Sequence, residues 1–399
     1  MPVPRASKPL LTPTYSSYRS TDCGNADRLV AQHSDSMRFC SAMRTWFLWK
    51  EHHWSADNGA AVQLAKKTIR AMQQDRRHML NEAQDQTGDY EHLRVRADAL
   101  GKWATRSESA SRIIAMLRMA ESDPRLSVAP EDFDNDPWLL NLRNGSVDLH
   151  SGCFRENRPE DLATKVAGAE YAAGSQCPQW KQFLGEVFRP NPEVIPFLQR
   201  AVGYTLTAET REECIFVLSG DGRNGKGVLV NILHALLGEY GGIAEVETFL
   251  DSHGSSMRED IADMRGRRFV SAQEPMLDSR FAEGTLKWLS GGDRLRARRL
   301  YEHAQEFNPS HKLWLAVNRL PRLRADDSAA WNRMRIIPFN VSFASKPNRE
   351  LKRALLSELS GILNWAVEGC LLWQRNGLGS IETVMRATDS CREAQRAHA

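Results

Sequence analysis

The chain has 399 residues, with 53 Lys and Arg against 50 Asp and Glu, 41% hydrophobic and 26% charged residues. This composition excludes a disordered, collagen-like or fibrous chain, and the length suits two or three domains with cores of their own. A net charge of +3 announces no nucleic-acid partner, so any basic surface has to be local and offset by acid elsewhere.

No apolar run reaches the ~18 residues of a membrane span. Met1 to Thr14 holds four prolines and no apolar core of a secretory signal. The seven cysteines are scattered and never form a CxxC pair, which speaks against zinc or a disulfide framework and fits a reducing cytoplasm. His52 and His53 are adjacent, so their side chains diverge, and no third metal ligand is near in sequence. No GxSxG pentapeptide points to a hydrolase triad.

In chain order, residues 1–20 read as a flexible N-terminus rich in Pro, Ser and Thr. Asp27 to about Met79 is expected to be mostly helical, with a basic face over Ala60–Arg77. Asp89–Met119 continues as helix with an apolar stripe through Ile113, Ile114 and Leu117. An acidic, proline-containing stretch follows, Glu121–Pro137. Residues 138–150 form an expected β hairpin turning at Asn144-Gly145. Cys177–Thr207 reads as helix, break at Arg189-Pro-Asn-Pro192, helix. From Cys214 the pattern becomes α/β. Strands are expected at Cys214–Leu218, Arg268–Ala272, Leu313–Val317 and Met334–Ile337. A helix is expected at Val228–Leu237, and residues 348–375 return to helix.

The strongest local motif is Ser219-Gly-Asp-Gly-Arg-Asn-Gly-Lys-Gly227, after an expected buried strand and before an expected helix. That is the context of a phosphate-binding P-loop. Gly220, Asp221, Gly222, Arg223, Asn224, Gly225, Lys226, Gly227 and Val228 are the candidate nucleotide-binding residues. Backbone N–H groups of such a loop turn inward around phosphate oxygens, Lys226 supplies a mobile positive charge, and the helix dipole adds to it. Gly227 stands where Ser or Thr normally offers Mg²⁺ a hydroxyl, and a water in its place would cost Mg²⁺ affinity.

Hydrolysis needs a carboxylate, a γ-phosphate sensor and a transition-state cation. Glu274, Asn318 and Arg333 each lie at or near the end of an expected strand, in that order after the loop. From Ser279 to Arg335 the chain has twelve Lys and Arg against six Asp and Glu, a local excess of +6. Within it, Arg294-Leu-Arg-Ala-Arg298 alternates with period two, which lines one strand face with arginine.

These stretches resemble the superfamily 3 DNA helicases of the phage and plasmid primase–helicase type, also found in poxviruses and other large DNA viruses. The resemblance rests on Gly220–Lys226, Arg265–Val270 leading to Glu274, Leu286-Lys-Trp-Leu-Ser-Gly-Gly-Asp293, Arg296–Tyr301, Lys312–Asn318 and Trp331–Phe339, and runs from about Thr21 to Thr388. It implies an α/β fold with an AAA+-like P-loop ATPase core, a mainly helical N-terminal domain and a short helical C-terminal segment. The expected boundaries are 21–125 for the helical domain, 126–185 for a small mixed element with the hairpin, 186–345 for the ATPase domain and 346–399 for the C-terminal helices.

The resemblance further implies a ring, usually a hexamer, that uses ATP and Mg²⁺ to unwind forked DNA from its single strand, in a bacterial host cytoplasm or nucleoid. Lys226 becomes the Walker A lysine and Glu274 the Walker B acid, meeting Mg²⁺ through water. Asn318 becomes the sensor and Arg333 the arginine finger toward the neighbouring subunit, with Arg335 as second choice. A hairpin carrying Arg298, Arg299, Tyr301 and His303 would grip DNA, supported by Lys287 and Arg296. The chain looks short for this family, so a separate primase or initiator is the expected partner and no membrane is involved. Two other readings stay open: a DNA-binding initiator with a degenerate ATPase, in view of Gly227, and a P-loop kinase or signalling ATPase.

Overall fold

The computed structural model describes residues 18–85, 90–251, 259–273, 279–298, 305–324, 326–345 and 348–397. Two compact units emerge. One runs to Asp132 without Glu51–His53; the other comprises Glu51–His53 and Phe133 onward.

The first unit contains α1 (Asp22–His33), a three-stranded antiparallel sheet of β1 (Met37–Cys40), β2 (Thr45–Trp49) and β3 (Trp54–Ala56), then α2 (Asn58–Asp85), α3 (Tyr90–Ser107) and α4 (Ala110–Ala120). Thr21 caps α1, its hydroxyl accepting from the Gly24 amide. The sheet corrects the expectation of helix from Asp27 to Met79. Thr45-Trp-Phe-Leu-Trp49 is an aromatic run that suits a strand, and Arg44 at φ 50° makes the preceding turn. Ile113, Met116 and Leu117 of α4 enter the core with Leu29, Val30, Ile69 and Met72, whereas Ile114, expected in the stripe, is exposed.

The second unit opens with an antiparallel sheet of β4 (Leu139–Leu142), β5 (Gly145–Asp148) and β6 (Cys153–Arg155). The hairpin lies where expected, but Leu142 pairs with Gly145, so the turn residues are Arg143 and Asn144, neither at positive φ. Next come α5 (Pro178–Val187) and α6 (Val194–Leu206), separated by the expected break, with Pro178 in the first turn of α5.

The larger sheet is parallel and five-stranded. Its elements are β7 (Ile215–Ser219), α7 (Lys226–Leu237), β8 (Gly241–Ile243), α8 (Glu259–Asp263), β9 (Phe269–Gln273), α9 (Glu283–Ser290), a hairpin of β10 (Leu295–Ala297) and β11 (Gln305–Phe307), β12 (Lys312–Val317), α10 (Ser328–Trp331) and β13 (Met334–Pro338). Helices α11 (Leu351–Leu356), α12 (Leu359–Asn376) and α13 (Glu382–Ala397) close the described chain. The spatial order is β13-β7-β12-β9-β8.

Both faces of this sheet are covered, which is why its strands read as unbroken apolar runs. Phe216, Leu218, Trp314 and Ala316 face the core built on α5, α6, α7 and α12. Ile215, Val217, Leu313, Leu315 and Val317 face the core with Leu286, Leu289, Leu295 and Trp331. At the amino ends of the strands two buried cations terminate α6. Arg268 donates to the carbonyls of Leu206 (2.6 Å) and Leu139 (2.7 Å), and Lys312 donates to those of Thr207, Glu209 and Ser310. Positive charge there suits the negative end of the helix dipole. Burial first, and Arg268 second, pull the Lys312 ammonium well below its usual pKa.

Helices α6 and α12 meet at glycines. A β-carbon on Gly369 would lie 2.1 Å from the Gln199 carbonyl oxygen, and one on Gly203 would lie 2.1 Å from the Cys370 nitrogen. Backbone on backbone leaves no soft neighbour to yield. Gly369→Ala should therefore destabilise the unit by about 1–3 kcal/mol, read as a lower urea midpoint with an unchanged slope.

Candidate functional site

The strand order puts a switch point at β7. The chain leaves it toward β8 and β9 and returns to place β12 on one side and β13 on the other. In open parallel sheets, ligands bind outside the carboxyl ends of strands at such a point. The carboxyl end of β7 runs into the glycine loop, and α7 begins at Lys226.

The loop is tied to its surroundings at both ends. The Phe339 amide donates to the Ser219 carbonyl (2.7 Å), Asn224 Nδ2 to the Phe339 carbonyl (3.0 Å), and the Phe343 amide to the Arg223 carbonyl (2.8 Å). Gly225 has φ 95° and lies against Val187 and Phe183 of α5. Its position as N-cap leaves the first turn of α7 without a side-chain cap, so the amides there point into the loop's mouth.

Lys226 is only 7% exposed. Its Nζ donates to the Gly220 carbonyl, to Asn224 Oδ1 (3.2 Å) and to Asn318 Oδ1 (3.2 Å). Two residues predicted for one site, 92 positions apart, thus meet. Asn318 stands exposed just beyond β12, which pairs with β7 through Val317 and Ser219. Asp221, Arg223 and Gly227 are exposed around the mouth, while Val228 packs toward the core. Positions 222 and 227 have open space around them. A recessed cation, uncapped helix amides and open space fit the phosphates of a nucleotide. Among the described residues nothing at the loop offers Mg²⁺ a hydroxyl at position 227. Glu274 lies outside the described residues.

Arg333 is not brought to this site. It precedes β13, at the amino end of the sheet, and its Nη2 donates to Glu213 Oε2 (2.8 Å) and its Nη1 to the Ala329 carbonyl (3.1 Å). Arg335 Nη1 donates to the Asn332 and Met334 carbonyls. Glu213 itself sits at φ 42°, and nothing in the sequence marked it, because its partner is 120 residues away.

The arginine-lined strand takes the expected form. Leu295 and Ala297 are buried, Arg294, Arg296 and Arg298 are exposed, and β10 pairs antiparallel with β11. Arg296 stands opposite Glu306, a cross-strand pair of opposite charge. Arg299, Tyr301 and His303 lie outside the described residues. Lys287 is engaged elsewhere: its Nζ donates to Asp327 Oδ2 (2.9 Å), the carboxylate that also caps α10.

Residues 26–189 match the model described as D5 N terminal like, and residues 218–334 match a family of unknown function, DUF5906. Two viral proteins with provisional helicase names are similar. L207/L206 of Acanthamoeba polyphaga mimivirus is 28% identical over 229 residues, 56% of this chain and 24% of that protein. Protein 022R of Frog virus 3 (isolate Goorha) is 25% identical over 281 residues, 53% of this chain and 29% of that protein. These matches support the chain as a member of the superfamily 3 primase–helicase family of phages and viruses. Its match spans about a quarter of the length of these curated relatives. The fold of this primase–helicase family member is similar to the apo C-terminal region of NrS-1, with a TM-score of 0.55 at 12% identity, covering 90% of this chain and 72% of that one. No helix among the described residues is long and apolar enough to cross a membrane.

A β-carbon on Gly220 would lie 2.4 Å from both Asn224 Nδ2 and the Phe339 carbonyl oxygen, at φ 155°, whereas one on Gly227 meets nothing within 4 Å. Gly220→Ala should weaken binding of a fluorescent ATP analogue at least about tenfold, since ~1–3 kcal/mol of overpacking falls on the loop. Gly227→Ala should leave that binding within about twofold.

Proposed function

We propose that the chain is the ATPase and DNA-translocating part of a replicative helicase, a P-loop AAA+ core that works as a ring on single-stranded DNA. The observation that carries this reading is the recessed Lys226 held against Asn318 at the mouth of an uncapped helix, in a chain of the primase–helicase family. ATP would place its phosphates on the amides of Gly222–Gly227, with Lys226 turning from its neutral acceptors to the β- and γ-oxygens. Asn318 would hold the attacking water, and Glu274 would take its proton. Mg²⁺, when bound, screens the phosphate charge, reached through water from Glu274.

Arg333 would complete the site of a neighbouring copy, after leaving Glu213. Arg296 on β10, with Arg294 and Arg298 flanking the strand and all three exposed, would meet the phosphates of the single strand, as would Arg299, Tyr301 and His303. Contacts to phosphate need no base sequence, as a translocating enzyme requires. Lys287 would serve DNA only by exchanging Asp327. The assembly would be a hexamer.

ATP turnover should rise at least about tenfold with single-stranded DNA and fall to background in Lys226→Ala and Glu274→Gln. Subunits carrying Arg333→Ala mixed with subunits carrying Lys226→Ala should regain part of the activity, because some interfaces then hold one intact site. Turnover insensitive to DNA in every oligomeric state would refute the reading. Gly227 supports a second reading, an initiator whose ATPase is degenerate, in which turnover equals that of Lys226→Ala.

Those two readings part again at position 227. Open space admits a serine there without a clash. Gly227→Ser should lower the Mg²⁺ concentration for half-maximal turnover several-fold. It should also stabilise α7 by roughly 0.5–1 kcal/mol, since glycine is poor in a helix. Thermal melting in the absence of nucleotide separates the second effect from the first.

A further inference from the structure

The basic face of α2 was legible in sequence, and nothing in the proposed ATPase uses it. Lys66, Arg70, Gln73 and Arg77 follow the spacing i, i+4, i+7, i+11, so they fall on one narrow stripe of the helix. Arg70 and Arg77 are exposed, and Lys66 and Gln73 are half-exposed. None of the three cations is paired with a carboxylate among the described residues, although Arg77 Nε reaches the Gln73 carbonyl (3.4 Å). Asp75 of the same helix lies on the opposite side, half-buried beside Arg28. The adjoining face carries Ala61, Ala65, Ile69 and Met72 into the core of this unit. That packing holds Arg70 and Arg77 at the surface.

Lys66 and Arg70 flank a cavity of about 200 Å³ that Ile69, Ile113 and Glu108 complete. Glu108 is the one acid on its rim. Gln73 reaches toward the Gly101 carbonyl and the Thr105 hydroxyl of α3 (both 3.5 Å), which fixes the middle of the stripe.

From this geometry we infer that α2 is a second DNA contact, one that takes the phosphate backbone of duplex DNA and not the single strand. The rise of a helix puts Lys66 and Arg70 about 6 Å apart and Lys66 and Arg77 about 16 Å apart. Those separations bracket the duplex groove widths of about 6 and 12 Å. A helix lying across a groove would thus set its cations on phosphates of both rims. A single-stranded site would instead offer aromatic platforms for unstacked bases, and this stripe has only Lys, Arg and Gln. Duplex DNA also carries one charge per about 1.7 Å of axis, the denser target for a row of point charges. The contact would read no base, and would hold the duplex by charge alone.

The test compares the full chain with its Lys66→Gln/Arg70→Gln/Arg77→Gln variant, by fluorescence anisotropy on a blunt duplex, on oligothymidine and on poly-glutamate, over a salt series. Duplex affinity should fall at least about tenfold near 0.1 M salt, and the slope of log K against log salt should flatten by about 2.7, or 0.9 for each lost phosphate contact. Oligothymidine and ATP-analogue binding should stay within about twofold. An Arg70→Lys/Arg77→Lys variant, which keeps the charges, should bind duplex like the parent and guards against a folding defect. Unchanged duplex affinity and slope in the triple variant would overturn the inference. So would an equal loss on oligothymidine, which marks a general single-strand site, or a loss confined to poly-glutamate, which marks an acidic protein partner. The result does not depend on turnover, so it stands or falls apart from the ATPase reading.

Discussion

Everything at the candidate site depends on β12 being inserted between β7 and β9. Adjacent strands lie about 4.8 Å apart. Had the strands followed chain order, two others would separate β12 from β7, and Asn318 would stand some 14 Å from the loop. Insertion instead pairs Val317 with Ser219, so the residue after each strand emerges beside the other. A 3.2 Å hydrogen bond between Lys226 and Asn318 is the outcome. The same placement frees the other edge of β7 for β13, whose exit at Phe339 braces the loop through Asn224.

Buried cations occur at both ends of this sheet, and their surroundings give them different tasks. Taking an ammonium out of water costs several kcal/mol unless hydrogen bonds replace its hydration. Lys312, 2% exposed, is closed in by three carbonyls where α6 ends, and Arg268 beside it has two. There the cations terminate a helix. At the opposite end Lys226 is also recessed, but it faces a mouth edged by open glycine positions and by helix amides. Among its partners the Gly220 carbonyl and the amide oxygens of Asn224 and Asn318 are neutral acceptors, weaker for an ammonium than charged oxygens would be. In the proposed site an entering anion would compete with these acceptors, whereas Lys312 is enclosed.

How far the sequence revealed this follows from which signals are local. The parallel strands showed because a sheet covered on both faces needs continuous apolar runs, and the glycine loop showed because its spacing is short-range. The arginine alternation of 294–298 showed because period two is the pleat itself. The small sheet of the first unit did not: Thr45–Trp49 is too short to separate strand from helix by periodicity, and only its aromatic content spoke for a strand. β8, with Gly241-Gly-Ile243, has no strand signature, and pairing with β9 alone makes it one. Pairings across long separations were invisible for the same reason. That Lys287 pairs with Asp327 and Arg333 with Glu213 could be seen only once they came together in space.

Arg333 carries the remaining consequence. It enters β13 at the level where the parallel strands begin, and Lys226 stands where they end; five residues of strand separate those levels by about 17 Å. No rotamer of an arginine spans that distance, so within one chain the proposed finger and the proposed nucleotide site do not meet. In the proposed assembly Arg333 would therefore serve the site of a second copy. Its ion pair with Glu213, whose side chain is 54% exposed, is of the solvent-screened kind worth about 0–1 kcal/mol. In that assembly a neighbour's triphosphate, with several charges, would outweigh it. The pair orients Arg333 in the lone chain and is weak enough to yield if the proposed ring forms.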